Sequence, residues 1–108
     1  KSHPPVTTAE IQTINNKHIS TKHLDDLWEI KDEWYNYKNI NPDITVLLNL
    51  DESSYSGGTN GNPHPITWYH EYKGGKSFYT GLGHRSETYS DERFIQLLTG
   101  GILYVSNN

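Results

Sequence analysis

Two histidines stand where an extended segment meets a loop. Gly81-Leu82-Gly83-His84 puts an imidazole just beyond a segment that ends in glycines. If that segment is a strand of an α/β sheet, its carboxyl end is where such sheets bind ligands. Gly83 permits a backbone path that a side chain would block. His64-Pro65 closes a glycine-rich stretch, and the proline restrains His64 to extended geometry. Each ring could serve as acid/base, hydrogen-bond partner or metal ligand, or simply tie down a loop. Asp32 falls on the apolar side of the alternating segment Trp28-Ile30-Asp32-Trp34, with Glu33 facing the other way. A carboxylate there needs a partner. It would orient a histidine, bind hydroxyls or, the favoured reading, hold loop amides together. Arg85 and Tyr35 and Tyr89 are further candidates for holding a polyhydroxyl ligand. Trp34, Tyr55, Trp68, Tyr69 and Tyr79 add to the aromatics, most of them expected in the core.

A metal is the competing reading for the histidines. His70-Glu71, with His64 and His84, offers nitrogen and oxygen donors for a zinc-like divalent ion, but the spacing matches no established signature. With six histidines in 108 residues, chance groupings are expected. No cofactor is therefore expected, with a divalent metal such as zinc as the alternative.

The elements that must position these groups can be read coarsely. Residues 1–19 look like an extended lead-in with one short strand at most. Ser20 to Trp28 reads as a capped turn with Leu24, Leu27 and Trp28 on one side. Residues 28–35 read as a half-buried strand. Ile44 to Leu50 is apolar on both sides and calls for cover on both faces. Residues 53–65 form a long Gly/Asn/Pro-rich loop. Ile66–Tyr72 and Ser77–Leu82 flank Lys73-Gly74-Gly75-Lys76, a strong hairpin signal. Ser90 is placed to cap a final helix in which Phe94, Leu97, Leu98, Gly101 and Ile102 share a face. Gly100-Gly101 marks either its end or a close approach. One helix cannot cover both faces of the 44–50 strand, so apolar surface is expected to remain there, exposed or buried by a second chain.

Composition narrows the class. The 108 residues carry 9 Lys+Arg against 13 Asp+Glu, a net charge of −4. That mildly acidic balance, without a basic block, gives no footing for nucleic acid. No apolar run approaches the roughly 18 residues of a membrane span. There is no cysteine, so disulfide frameworks and Cys-based metal sites are excluded. The expectation is a soluble protein, cytoplasmic or periplasmic.

A set of blocks in family order resembles the ThuA-like family of the trehalose-utilisation type. They are His18-Ile19-Ser20-Thr21-Lys22-His23-Leu24, Asp32-Glu33-Trp34-Tyr35, Val46-Leu47-Leu48, Leu50-Asp51-Glu52-Ser53-Ser54-Tyr55, His64-Pro65-Ile66-Thr67-Trp68, Gly74 to His84, Tyr89-Ser90 and Leu97 to Ile102. Ile19 stands where the family pattern has proline. The resemblance implies an α/β fold like the class I glutamine amidotransferases, a flavodoxin-like three-layer sandwich. Family domains are longer, so residues 1–108 would be the C-terminal part of one such domain, with its hairpin and last helix and without its N-terminal half. Cysteine-dependent glutaminase chemistry is excluded by composition.

What the resemblance implies for function is use of a trehalose-type disaccharide or keto-sugar, with this chain inactive by itself. Its catalytic residues would be His84 and His64, and its substrate-binding residues Asp32, Glu33, Tyr35, Arg85 and Tyr89. Whether it is an enzyme stays open; the alternative is a non-catalytic carbohydrate-binding or assembly module. The expected partners are a carbohydrate and either the missing half or another copy of the chain.

Overall fold

The computed structural model describes residues 6–34, 43–54, 64–83 and 86–106. Five strands, β1 (Val6–Thr13), β2 (Leu27–Glu33), β3 (Thr45–Asp51), β4 (Pro65–Tyr72) and β5 (Gly75–Thr80), form one sheet in the order β2-β1-β3-β4-β5. All four pairings are antiparallel. One helix, α1 (Glu92–Ser106), packs on the sheet over β5, where Gly101 meets Phe78. The α/β class, the hairpin and the C-terminal helix are thus present as expected.

The N-terminal segment departs from its reading as a lead-in. It is an eight-residue strand bonded on both sides, to β2 and to β3. Its apolar signal is thin because one face carries only Ala9 and Ile11, both buried, between Thr7 and Thr13. The register Ala9↔Ile30 and Ile11↔Trp28 continues that face onto β2, where Trp28, Ile30 and Asp32 are buried and Leu27, Glu29 and Lys31 are exposed. This is the alternation of a sheet covered on one side.

The 44–50 region also departs from expectation. Leu47, Leu48 and Leu50 are at most 3% exposed within the chain itself. The pairing with β4 shifts register on either side of Leu48. An irregularity of that kind breaks strict face alternation, and Leu47 and Leu48, though adjacent, are both buried. Exposed apolar surface lies on α1 instead, where Ile95, Ile102, Leu103 and Val105 are 40–59% exposed.

The hairpin forms as its glycines require. Lys73 and Gly74 both take positive φ, 50° and 82°, the pattern of a two-residue turn matched to strand twist. Asp91, one residue later than the expected Ser90, caps α1. Ser86–Ser90 is a 3-10 turn, and the Asp91 carboxylate accepts the Arg93 N–H at 2.9 Å. The Arg93 guanidinium bonds the same carboxylate and holds it below its ordinary range. Arg93 also lies over the Trp28 ring, 4.8 Å from its centroid.

Gly100 and Gly101 are interior to α1 and mark a close approach. A side chain at 100 would meet the backbone of Ile19 and Ser20, and one at 101 the Phe78 ring. That contact delivers the 18–24 turn to the helix. His18 sits there among Tyr69, Phe78 and Tyr104 at centroid distances of 4.7, 6.2 and 4.8 Å. Its Nδ1 accepts the Ser20 N–H, and its Nε2 is buried with no partner among the described residues. Charged and titratable groups beside it are Lys76, 5.1 Å from the Tyr104 centroid, and Glu71, which accepts the Tyr104 hydroxyl at 3.0 Å. Burial and Glu71 push Tyr104 up to about 12.

Burial pushes the His18 imidazole below its ordinary 6.5. The unfolded chain therefore binds more protons between the folded value and 6.5, and stability rises with pH across that window. Urea unfolding between about pH 5 and 7.5 is expected to show this slope, and His18→Phe to flatten it. An equal slope in the variant would place the titration elsewhere.

Candidate functional site

The registers gather the candidate residues at one end of the sheet. Thr7↔Asp32 sets the end of β2 beside the start of β1. Glu10↔Asp51 brings the end of β3 there, Asn49↔Pro65 the start of β4, and Thr67↔Thr80 the end of β5. The rim therefore holds Asp32, Glu52, His64 and Gly83. A side-chain bridge between Thr67 and Thr80, 2.9 Å long, ties β4 to β5 just inside it.

Asp32 is fully buried. Its Oδ1 accepts the Glu33 N–H and its Oδ2 the Gly83 N–H, each at 2.8 Å. The carboxylate thus clamps two amides, the role favoured for it from sequence, and pins the strand exit that leads to His84. Gly83 adopts φ +94°, and a Cβ there would lie 2.9 Å from the Phe94 ring and 3.1 Å from the Tyr89 hydroxyl. Only glycine suits that position. Tyr89 is 55% exposed and meets Phe94 edge-on, 5.0 Å between centroids. Its hydroxyl reaches the same strand exit. Glu33 is half-buried, on the opposite side of β2 from Asp32.

His64 is also fully buried. Its carbonyl accepts the Leu50 N–H at 2.8 Å. Its Nδ1 is 2.6 Å from Glu52 Oε2. A neutral imidazole so placed donates from Nδ1 and carries its lone pair on Nε2. Glu52 escaped the sequence reading as a separate candidate. The available signal was its place two residues past the buried Leu50, where a strand ends.

His84, Arg85 and Tyr35 lie outside the described residues. His70 does not join the rim. It is six residues from His64, about 20 Å along a strand, and its partner across the sheet is Ser77 near the hairpin. Glu71 is engaged by Tyr104 on α1. The grouping of His64 with His70-Glu71 around a metal is therefore not assembled, and among the described residues no three His, Cys, Asp or Glu groups converge on one point. On β4 and β5, Trp68 and Tyr79 stack at 4.5 Å between centroids. No helix among the described residues is long and apolar enough to cross a membrane.

Comparison with solved structures places this geometry in a known fold. A ThuA-like protein of Bacteroides uniformis superposes with a TM-score of 0.75 at 24% identity, over 97% of this chain and 46% of that one. A ThuA-like protein of Parabacteroides merdae gives 0.70 at 23%, over 97% and 40%. The chain thus spans less than half the length of either. No curated protein matches it. The ThuA family model, described as trehalose utilisation, matches residues 1–105. With nearly the whole chain matched, this protein belongs to the ThuA family.

Proposed function

We propose that the chain serves carbohydrate utilisation, with the rim of β2, β3, β4 and β5 as its sugar site. The observation that carries this is the gathering, at one sheet end, of a carboxylate-bound imidazole (Glu52–His64) and an aspartate-pinned strand exit (Asp32–Gly83). The family's description, trehalose utilisation, supports a trehalose-type disaccharide as the substrate; a keto-sugar is the other substrate we propose. In this reading His84 and His64 move protons at a sugar hydroxyl, and Tyr89, Glu33, Tyr35 and Arg85 hold the remaining hydroxyls. Asp32 acts at one remove, by fixing Gly83.

The structural relatives are about twice as long. We take the chain to supply one wall of a flavodoxin-like sandwich site. The other wall comes from a further segment or a second copy, and the chain alone turns sugar over poorly. The exposed apolar side of α1 is a surface on which such a partner could rest. A second reading, a non-catalytic carbohydrate-binding module, is favoured by the stacked Trp68 and Tyr79, since paired aromatic rings suit the apolar faces of sugars.

Titrating trehalose and a keto derivative into the protein, with product followed by chromatography, tests both. Saturable binding is expected, with His84→Ala weakening it or any turnover by roughly 100-fold. Undiminished binding and turnover in His84→Ala would sink the site assignment. Binding without product, in the presence of the completing partner, would favour the module.

A further inference from the structure

Strand β2 is an outer strand of the sheet, and among the described residues no strand pairs with its free side. The direction of its main-chain groups follows from one bond. The Thr13 N–H donates to the Asp26 carbonyl at 2.8 Å, in the register that continues Gln12↔Leu27. Directly opposite residues of an antiparallel pair bond each other at every second position. Trp28 and Ile30 therefore bond β1, while Leu27, Glu29 and Lys31 turn their N–H and C=O groups outward. The side chains of the same three residues are exposed. Across the β1 pairing Glu29 stands opposite Glu10, so like charges meet there. Among the described residues neither Glu29 nor Lys31 makes a salt bridge within the chain. Beside the edge a recess of about 320 Å³, lined by Ile30, Lys31, Thr88 and Arg93 among others, leaves room for a neighbour.

We propose that this edge pairs with the same edge of a second copy, β2 against β2 in antiparallel sense about a two-fold axis at Ile30. Charge selects both the partner and the register. Outward-facing residues must meet outward-facing residues, and near-complete overlap then puts the axis at residue 29, 30 or 31. At 29 it sets Glu29 against the partner's Glu29, and at 31 Lys31 against the partner's Lys31. At Ile30 it sets each Glu29 against the partner's Lys31. Opposite charges facing each other across a strand pair stabilise it, and like charges oppose it. Each of these two pairs also exchanges two main-chain hydrogen bonds. The partner's Lys31 then flanks Glu29 on the side away from Glu10 and offsets that carboxylate pair. A strand edge with unpaired main-chain groups is a template for strand addition, and an edge carrying one sign of charge would repel its own copy. The proposal goes beyond the sugar-site reading and stands whether or not sugar binds.

Sedimentation velocity of the full chain from about 10 μM to 1 mM, a range that reaches weak associations, tests it. A concentration-dependent dimer is expected, weakened by added salt. Glu29→Lys or Lys31→Glu alone is expected to weaken it by roughly 10–100-fold, since both pairs become like-charged. Mixing the two single variants, or combining both changes in one chain, is expected to restore it, because every pair is then unlike again. Both side chains are exposed, so melting temperatures should hold. Between the two ends of the concentration range, hydrogen exchange is expected to slow at the Glu29 and Lys31 amides and to stay unchanged at Ile30. A chain that remains monomeric at about 1 mM overturns the proposal, as does a mixture of the single variants that stays monomeric. A dimer that neither single variant weakens overturns it too, and would rest on another surface such as the apolar side of α1.

Discussion

Phe94→Ala is expected to lower the unfolding free energy by about 3–5 kcal/mol, the usual range for emptying a buried aromatic site. The ring is 1% exposed. It fills the space between the start of α1 and the strand exit at Gly83, and Tyr89 packs on it edge-on. The backbone on both sides is pinned, at Gly83 by Asp32 and at Asp91 by its bond to the Thr88 carbonyl, so the hole cannot easily collapse. Net stabilities of small domains are about 5–15 kcal/mol, so a loss of this size shifts the urea midpoint far down at unchanged slope. A shift under about 1 kcal/mol would mean that the region repacks and that Gly83 is not held as described.

Asp32→Ala is expected to cost about 2–6 kcal/mol, the sum for two amides left without an acceptor at roughly 1–3 kcal/mol each. The change should also release the Gly81–Gly83 exit. Hydrogen exchange at the Gly83 amide is therefore expected to accelerate more than exchange in β4. Asp32→Asn should fall between, since its amide offers one acceptor and sets a donor against the other N–H. Wild-type protection of Gly83 in Asp32→Ala would show that the carboxylate is not its anchor. Because the clamp lies one residue before His84, loss of sugar response in this variant would follow from a mispositioned segment, with no contact between Asp32 and sugar needed.

These two residues also mark how far the sequence could be read. The burial of Asp32 followed from its place among Trp28, Ile30 and Trp34. Its partner did not, since Gly83 is 51 residues away and no local pattern joins them. Glu52 and His64 are likewise 12 residues apart in sequence, and only their shared sheet end makes them neighbours. The strand β1 is faint in the sequence for a related reason. A central strand with one polar face needs few apolar residues, and its stability comes from bonds to β2 and β3 on either side.

By itself the sequence determined what depends on near neighbours and on the pattern as a whole. It specified the alternation of β2, the turn at Lys73-Gly74, the amphipathic α1, the exclusion of cysteine chemistry, and ThuA membership through blocks kept in order. The tertiary structure alone decided the antiparallel order of the sheet, the burial of Leu47 and Leu48, the seat of α1 on the 18–24 turn, and which carboxylate meets which imidazole or amide. The physical reason is range. Propensities and capping act over a few residues, whereas pairing and packing are settled by strand register between segments that the chain itself holds far apart.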